Sequence, residues 1–255
     1  MSRHARNAIA AIALNSALLI AQPAYASDST TTTVALLPNA RMAPLENLTI
    51  EKTKGVTLLK FGTLVVNVGD GPLEVHATRA DTSTDDMTVV QRVFDSSGGY
   101  RDEVTAETTH YAGDGHDHWH LTRFLRATLE PLGKTPVASG NKIGYCLLDS
   151  KQFDAKLAGS PATKQYTGCG HADDTSVKMG ISVGWGDWYP YNMKGQNIDI
   201  TGLPLGDYRL RVLADPQLAF KETKEDDNET WVDIRLLRGS QLKILGSGGY
   251  AVTSS

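Results

Sequence analysis

The chain predicts an all-β fold, mainly antiparallel: a single sandwich-like domain whose long loops carry the functional site. Three observations point there. Apolar residues recur with period two, most cleanly in Tyr208-Arg209-Leu210-Arg211-Val212, as a strand with one buried face requires. Runs rich in Val, Leu, Thr and Phe end in turn clusters such as Gly69-Asp70-Gly71-Pro72 and Asp95-Ser96-Ser97-Gly98-Gly99. Few stretches show a 3.6-residue apolar period; residues 150–157 form a candidate short helix.

Taken in order, residues 1–26 stand apart from the fold. Arg3, His4 and Arg6 precede an apolar run over 8–21, and Ala24-Tyr25-Ala26 supplies a small-x-small cleavage pattern, so the segment reads as a secretory signal peptide. An uncleaved anchor is the alternative, although the run is short and interrupted for a spanning helix. The expectation is therefore a secreted protein, extracellular or periplasmic, with no membrane association after cleavage. Residues 27–33 are polar and low in complexity and read as a disordered start. The domain is expected over 34–245, with strands at 56–68, 73–76, 88–94, 116–130, 143–148, 197–200, 208–213 and 230–237. Residues 246–255 read as a flexible tail.

The formal charge is −4, and loss of Arg3 and Arg6 makes the exported chain more acidic. That balance argues against nucleic acid as a partner and suits a cationic substrate. Two cysteines remain, Cys146 and Cys169. In an oxidising compartment they are expected to form one bridge, contributing about 3 kcal/mol by loop closure. Two separate buried thiols are the alternative.

The run His116-Asp117-His118-Trp119-His120 is the most informative stretch. On a strand, positions i, i+2 and i+4 share a face, so three imidazoles project to one side and Asp117 and Trp119 to the other. Three neutral nitrogen ligands aimed at one point suit Cu(II) or Zn(II). A solvated histidine-rich strand is the plainer alternative. His76, His110 and His171 carry no motif and read as ordinary polar residues.

From His116 onward the chain resembles the catalytic domain of lysyl oxidases, particularly bacterial members. The resemblance runs through Gly115-His116-Asp117-His118-Trp119-His120, Asn141-Lys142-Ile143-Gly144-Tyr145-Cys146-Leu147-Leu148-Asp149 and Gly180-Ile181-Ser182-Val183-Gly184-Trp185-Gly186-Asp187-Trp188-Tyr189. It continues through Ile198-Asp199-Ile200-Thr201 and residues 207–236, in colinear order over about 120 residues. Residues 34–115 are similar only in their strand-rich character.

This resemblance implies that His116, His118 and His120 hold copper. It implies a self-derived redox cofactor, lysine tyrosylquinone, made from Lys142 and Tyr189, with Asp187 as the base that removes a proton from the carbon bearing the substrate amine. The chemistry is consistent with those residue types: a carboxylate two residues from Tyr189 on an extended segment shares its face. The implied function is a copper amine oxidase acting on a primary amine (free or peptidyl lysine, a polyamine or an alkylamine) with dioxygen, releasing an aldehyde, ammonia and hydrogen peroxide.

In animal members the segment matching Glu222, Asp227 and Asn228 supplies oxygen ligands to calcium, which suits a hard cation. Here Lys224 and Asn39 stand where acids are typical, and a solvated acidic turn is the preferred reading over calcium. The histidine that follows the copper strand in animal enzymes has no counterpart, Arg126 or its neighbour taking its place. The alternatives are a non-catalytic surface copper-binding module and a three-histidine zinc hydrolase. A β-sandwich adhesion domain with an incidental metal is a weaker one.

Overall fold

A computed structural model describes residues 32–112, 117–134, 138–140 and 144–252. Residues 1–26, read above as a signal peptide, and His116 and Lys142 lie outside the described residues. Residues from Thr33 onward form one compact unit. Among the described residues there is no helix, and none is long and apolar enough to cross a membrane.

In chain order the strands are β1 (Ala35–Leu36), β2 (Ala40–Met42), β3 (Glu46–Thr53), β4 (Val56–Asn67), β5 (Leu73–Thr78), β6 (Asp86–Asp95), β7 (Tyr100–Tyr111) and β8 (Trp119–Leu121). They continue as β9 (Leu125–Pro131), β10 (Ala138–Gly140), β11 (Lys151–Gln152), β12 (Ser176–Ile181), β13 (Trp185–Tyr189), β14 (Asn197–Asp199), β15 (Gly206–Ala214), β16 (Glu229–Leu237) and β17 (Gln241–Gly248). The fold is all-β and antiparallel throughout.

Among the described residues the strands form three sheets around a main apolar cluster, with a smaller one of Ala43, Leu64, Val66 and Phe153. One runs β12-β5-β6-β7-β8, with β1 added to β6; a second runs β10-β9-β15-β16-β17. The third centres on β4, which pairs with β13, β14, β2 and β3. Covered on both faces, β4 is buried continuously from Phe61 to Asn67, its polar Thr63 and Asn67 included. By contrast β15 alternates: Tyr208, Leu210, Val212 and Ala214 point into the core. Asp207, Arg209 and Arg211 face outward and pair across the sheet with Arg235, Asp233 and Glu229.

Four local expectations change. The predicted helix over 150–157 is instead β11 followed by turns, because Ser150 and Phe153 are bonded to the backbone of Gly186 and Gly184 beside β13. The strand expected over 116–130 breaks at residues 122–124, leaving β8 on the first sheet and β9 on the second. Of the strand expected over 143–148, one bridge remains, with Tyr145 and Leu121 exchanging both backbone hydrogen bonds. The tail assigned to 246–255 begins inside β17, and beyond it the Tyr250 amide donates to Met42 O while Arg41 stacks over the Tyr250 ring.

Candidate active site

The site is built where β8 and β13 approach through the segment 144–149. His118 and His120 lie two residues apart on and beside β8, and their Nε2 atoms are 2.8 Å apart. Same-face projection is the cause, as the alternation demands. The contact is within hydrogen-bond range, and it leaves both ring nitrogens close enough to share one ion in a tetragonal arrangement. His120 is buried and His118 partly so.

Trp119, between them, turns into the core. Its indole N–H donates to His171 O at 2.8 Å, and the Arg79 guanidinium covers its ring. Asp117 does not follow Trp119 inward: it is exposed and lines the same cavity as the two histidines.

Gly144 explains how the next segment reaches β8. Its φ is +82°, and a Cβ there would lie 2.3 Å from the His120 Cβ, so only glycine permits the approach. Tyr145 then bridges to Leu121, and Cys146 bonds to Cys169 with Cα atoms 5.8 Å apart, the pairing expected from the compartment. The Cys169 carbonyl in turn accepts the Trp119 N–H at 3.0 Å. Asp149, fully buried, accepts the N–H groups of Gln165, Tyr166 and Ser182 and the Ser182 hydroxyl. Those bonds brace the loop that leads to Cys169.

On β13, Asp187 and Tyr189 share a face, both buried. The Tyr189 hydroxyl accepts the Cys146 N–H at 2.9 Å, and its own proton faces the Cys146 carbonyl at 3.0 Å and the Asp187 carboxylate. Burial, reinforced by the Asp187 charge, pushes the Tyr189 phenol well above its ordinary value, so it stays protonated at neutral pH.

His118, His120, Asp187 and Tyr189 line one cavity of about 630 Å³. Cys146, Leu148 and Met193 form its apolar side, residues 167–171 one wall, and Trp188 stands at the opening, 39% exposed. The structure thus brings together four sequence-predicted residues that are up to 71 positions apart. It also adds His171, which sequence reading passed over. The usable signal was Cys169: its bridge to Cys146 draws residues 167–171 to the site. His76 and His110, by contrast, pair with Glu74 and Asp86 on the first sheet.

The expected calcium ligands do not assemble as an oxygen cage. Asn228 donates to Glu222 Oε1 at 2.7 Å, and the second Glu222 oxygen accepts the Ala40 N–H. Asp227 faces cations instead, Arg41 at 3.3 Å and Lys224 at 3.6 Å. Burial pushes the Glu222 carboxyl up to about 8, with Asp215 and Glu225 adding repulsion. The acids that converge are Asp215, Glu222 and Glu225, and Glu225 already accepts the Glu222 N–H. These residues do not fit the expected calcium set.

The structure is thus an antiparallel β domain with an open cavity that gathers a histidine pair, a buried tyrosine and a carboxylate. The lysyl oxidase family model matches residues 100–245, more than half of the chain. This chain belongs to the lysyl oxidase family. Over 116 residues it is 33% identical to lysyl oxidase homolog 2 of Gallus gallus, 31% to that of Homo sapiens and 32% to that of Xenopus laevis. Each match covers 45% of this chain and 14% of the relative.

Proposed function

We propose that this chain is a secreted copper-dependent amine oxidase that converts a primary amine, dioxygen and water to an aldehyde, ammonia and hydrogen peroxide. In this reading residues 1–26 are the export signal, and the domain over 34–245 is the catalytic unit. The observation that carries it is the single cavity lined by His118, His120, Asp187 and Tyr189.

His116, His118 and His120 hold copper, and Lys142 and Tyr189 become the lysine tyrosylquinone. When bound, copper with dioxygen supplies the oxidant, and the quinone supplies the electrophilic carbonyl that takes electrons from the amine. The rest belongs to the chain. Cys146 holds the Tyr189 hydroxyl through both backbone groups, fixing the ring at the cavity wall. Asp187, beside Tyr189 and nearly solvent-free, takes the proton from the amine-bearing carbon. Leu148, Met193 and the disulfide exclude water around it. The acidic chain favours a cationic amine, free or peptidyl.

The test is peptide mass spectrometry of the exported protein after copper and air. A cross-link joining Lys142 to Tyr189, absent in Lys142→Ala although copper still binds, supports the reading. Unmodified Lys142 and Tyr189 in a copper-loaded protein overturn it in favour of a copper-binding module.

A further inference from the structure

We infer that Tyr145 is a positioning residue for Tyr189: it covers one face of the Tyr189 ring and leaves only the cavity face open to reaction. The inference rests on the reading of Tyr189 as the cofactor tyrosine.

The two rings lie 4.3 Å apart between centroids, inclined at 45°. Tyr189 lines the cavity, whereas Tyr145 sits behind it, fully buried. Any attack on a ring carbon passes through a ring face, so covering one face selects the other. Tyr145 is itself held from three sides. Its backbone exchanges two hydrogen bonds with Leu121, at 2.8 and 2.9 Å, next to His120. Phe124 packs behind its ring at 5.9 Å, and Phe220 behind Phe124 at 6.0 Å. Its hydroxyl bonds to the Thr63 hydroxyl, which also accepts Gln196 Nε2 at 2.9 Å.

Thr63 closes the arrangement, because it is the residue paired with Tyr189 between β4 and β13. Partners directly opposite on antiparallel strands present their side chains to the same face. One threonine therefore stands beside the ring being positioned and anchors the ring that positions it. The hydroxyl is what distinguishes this role from packing. A phenylalanine would fill the same volume, but only a bonded hydroxyl fixes the tilt of the ring inside an apolar stack. Through Leu121 the backbone of Tyr145 is tied to the strand bearing His120.

The experiment compares Thr63→Val, Tyr145→Phe, their double variant and Tyr145→Leu with the natural chain. Each protein is loaded to equal copper occupancy and exposed to air, and quinone formation is followed as its phenylhydrazine adduct. The Tyr189 ring-flip rate is read separately in copper-free protein by NMR with ¹³C-labelled tyrosine. Thr63→Val and Tyr145→Phe each slow quinone formation about tenfold, and Tyr145→Leu about a hundredfold, as loss of a near-attack geometry does. The double variant is no slower than either single one, since both break the same bond, and ring flips quicken in the same order. Copper affinity stays unchanged. If Tyr145→Leu does not fold, the two near-isosteric variants decide. Natural-chain rates of quinone formation and ring flipping in both overturn the inference and leave the proposed function standing. A natural chain that forms no quinone overturns the proposed function, and this role with it.

Discussion

Two regions of this protein present metal-ligating residue types at close spacing, and the fold treats them in opposite ways. In the stretch around His118 and His120, imidazole nitrogens approach to 2.8 Å beside a cavity. In the turn from Asp215 to Asn228, the carboxylates of Asp215, Glu222 and Glu225 also converge, but Asp215 and Glu222 accept backbone N–H groups and Glu222 also accepts Asn228, while Asp227 of the same turn pairs with Arg41 and Lys224. The difference lies in where the lone pairs point. Ligand types in sequence make a site only when the fold leaves their lone pairs turned toward a common space.

Breaking the first region has the largest expected effect. His118→Ala or His120→Ala abolishes stoichiometric copper loading, measured by metal analysis of the purified protein, and with it quinone formation. Near-normal copper content in either variant removes them from the ligand set. Asp187→Asn keeps copper and the quinone but lowers kcat about 10²–10⁴-fold, the range of a lost general base. Steady-state peroxide release against a normal phenylhydrazine titre checks this, and unchanged kcat assigns the proton transfer elsewhere. Replacing Cys146 and Cys169 together by serine costs about 3 kcal/mol in denaturant unfolding, from loop closure alone. It also loosens the wall at residues 167–171.

The acidic turn sharpens the comparison with smaller effects. Glu222 holds its proton up to about pH 8 in the folded chain, whereas the unfolded chain releases it near 4.5. Stability from this group is therefore complete below about pH 4.5 and is lost as pH rises toward 8, by up to about 1.4 kcal/mol per unit. Glu222→Gln, a permanently neutral mimic, flattens that part of the curve, and parallel pH profiles for both proteins would falsify the assignment. Added calcium leaves the thermal midpoint nearly unmoved. A saturable rise would show that Asp215, Glu222 and Glu225 accept an ion in place of the Glu222 proton.

Local pattern carried much of the fold. The alternation in β15 and the turn clusters closing β4 and β6 placed those strands within a residue or two, because strand period and turn chemistry are properties of neighbours in sequence. The reading failed where long-range contacts overrode it. Residues 150–157 carry a weak helical period, but the open edge of β13 bonds their backbone. The break at residues 122–124 reflects the need for one chain to serve two sheets.

The site divides along the same line. That His118 and His120 share a face, that Asp187 and Tyr189 share another, and that Cys146 and Cys169 are partners follows from spacing and compartment. None of these statements says that the two faces meet. Tertiary structure decided that: Gly144 presses against His120, and the Cys146 backbone grips a hydroxyl 43 positions away. It also placed Tyr145 behind the reactive ring, recruited His171 to the wall and turned Asp227 toward Arg41. Side-chain alternation and oxidation state are encoded within a few residues. Convergence of distant side chains and ring faces depends on how the sheets pack against one another, which is a property of the whole chain.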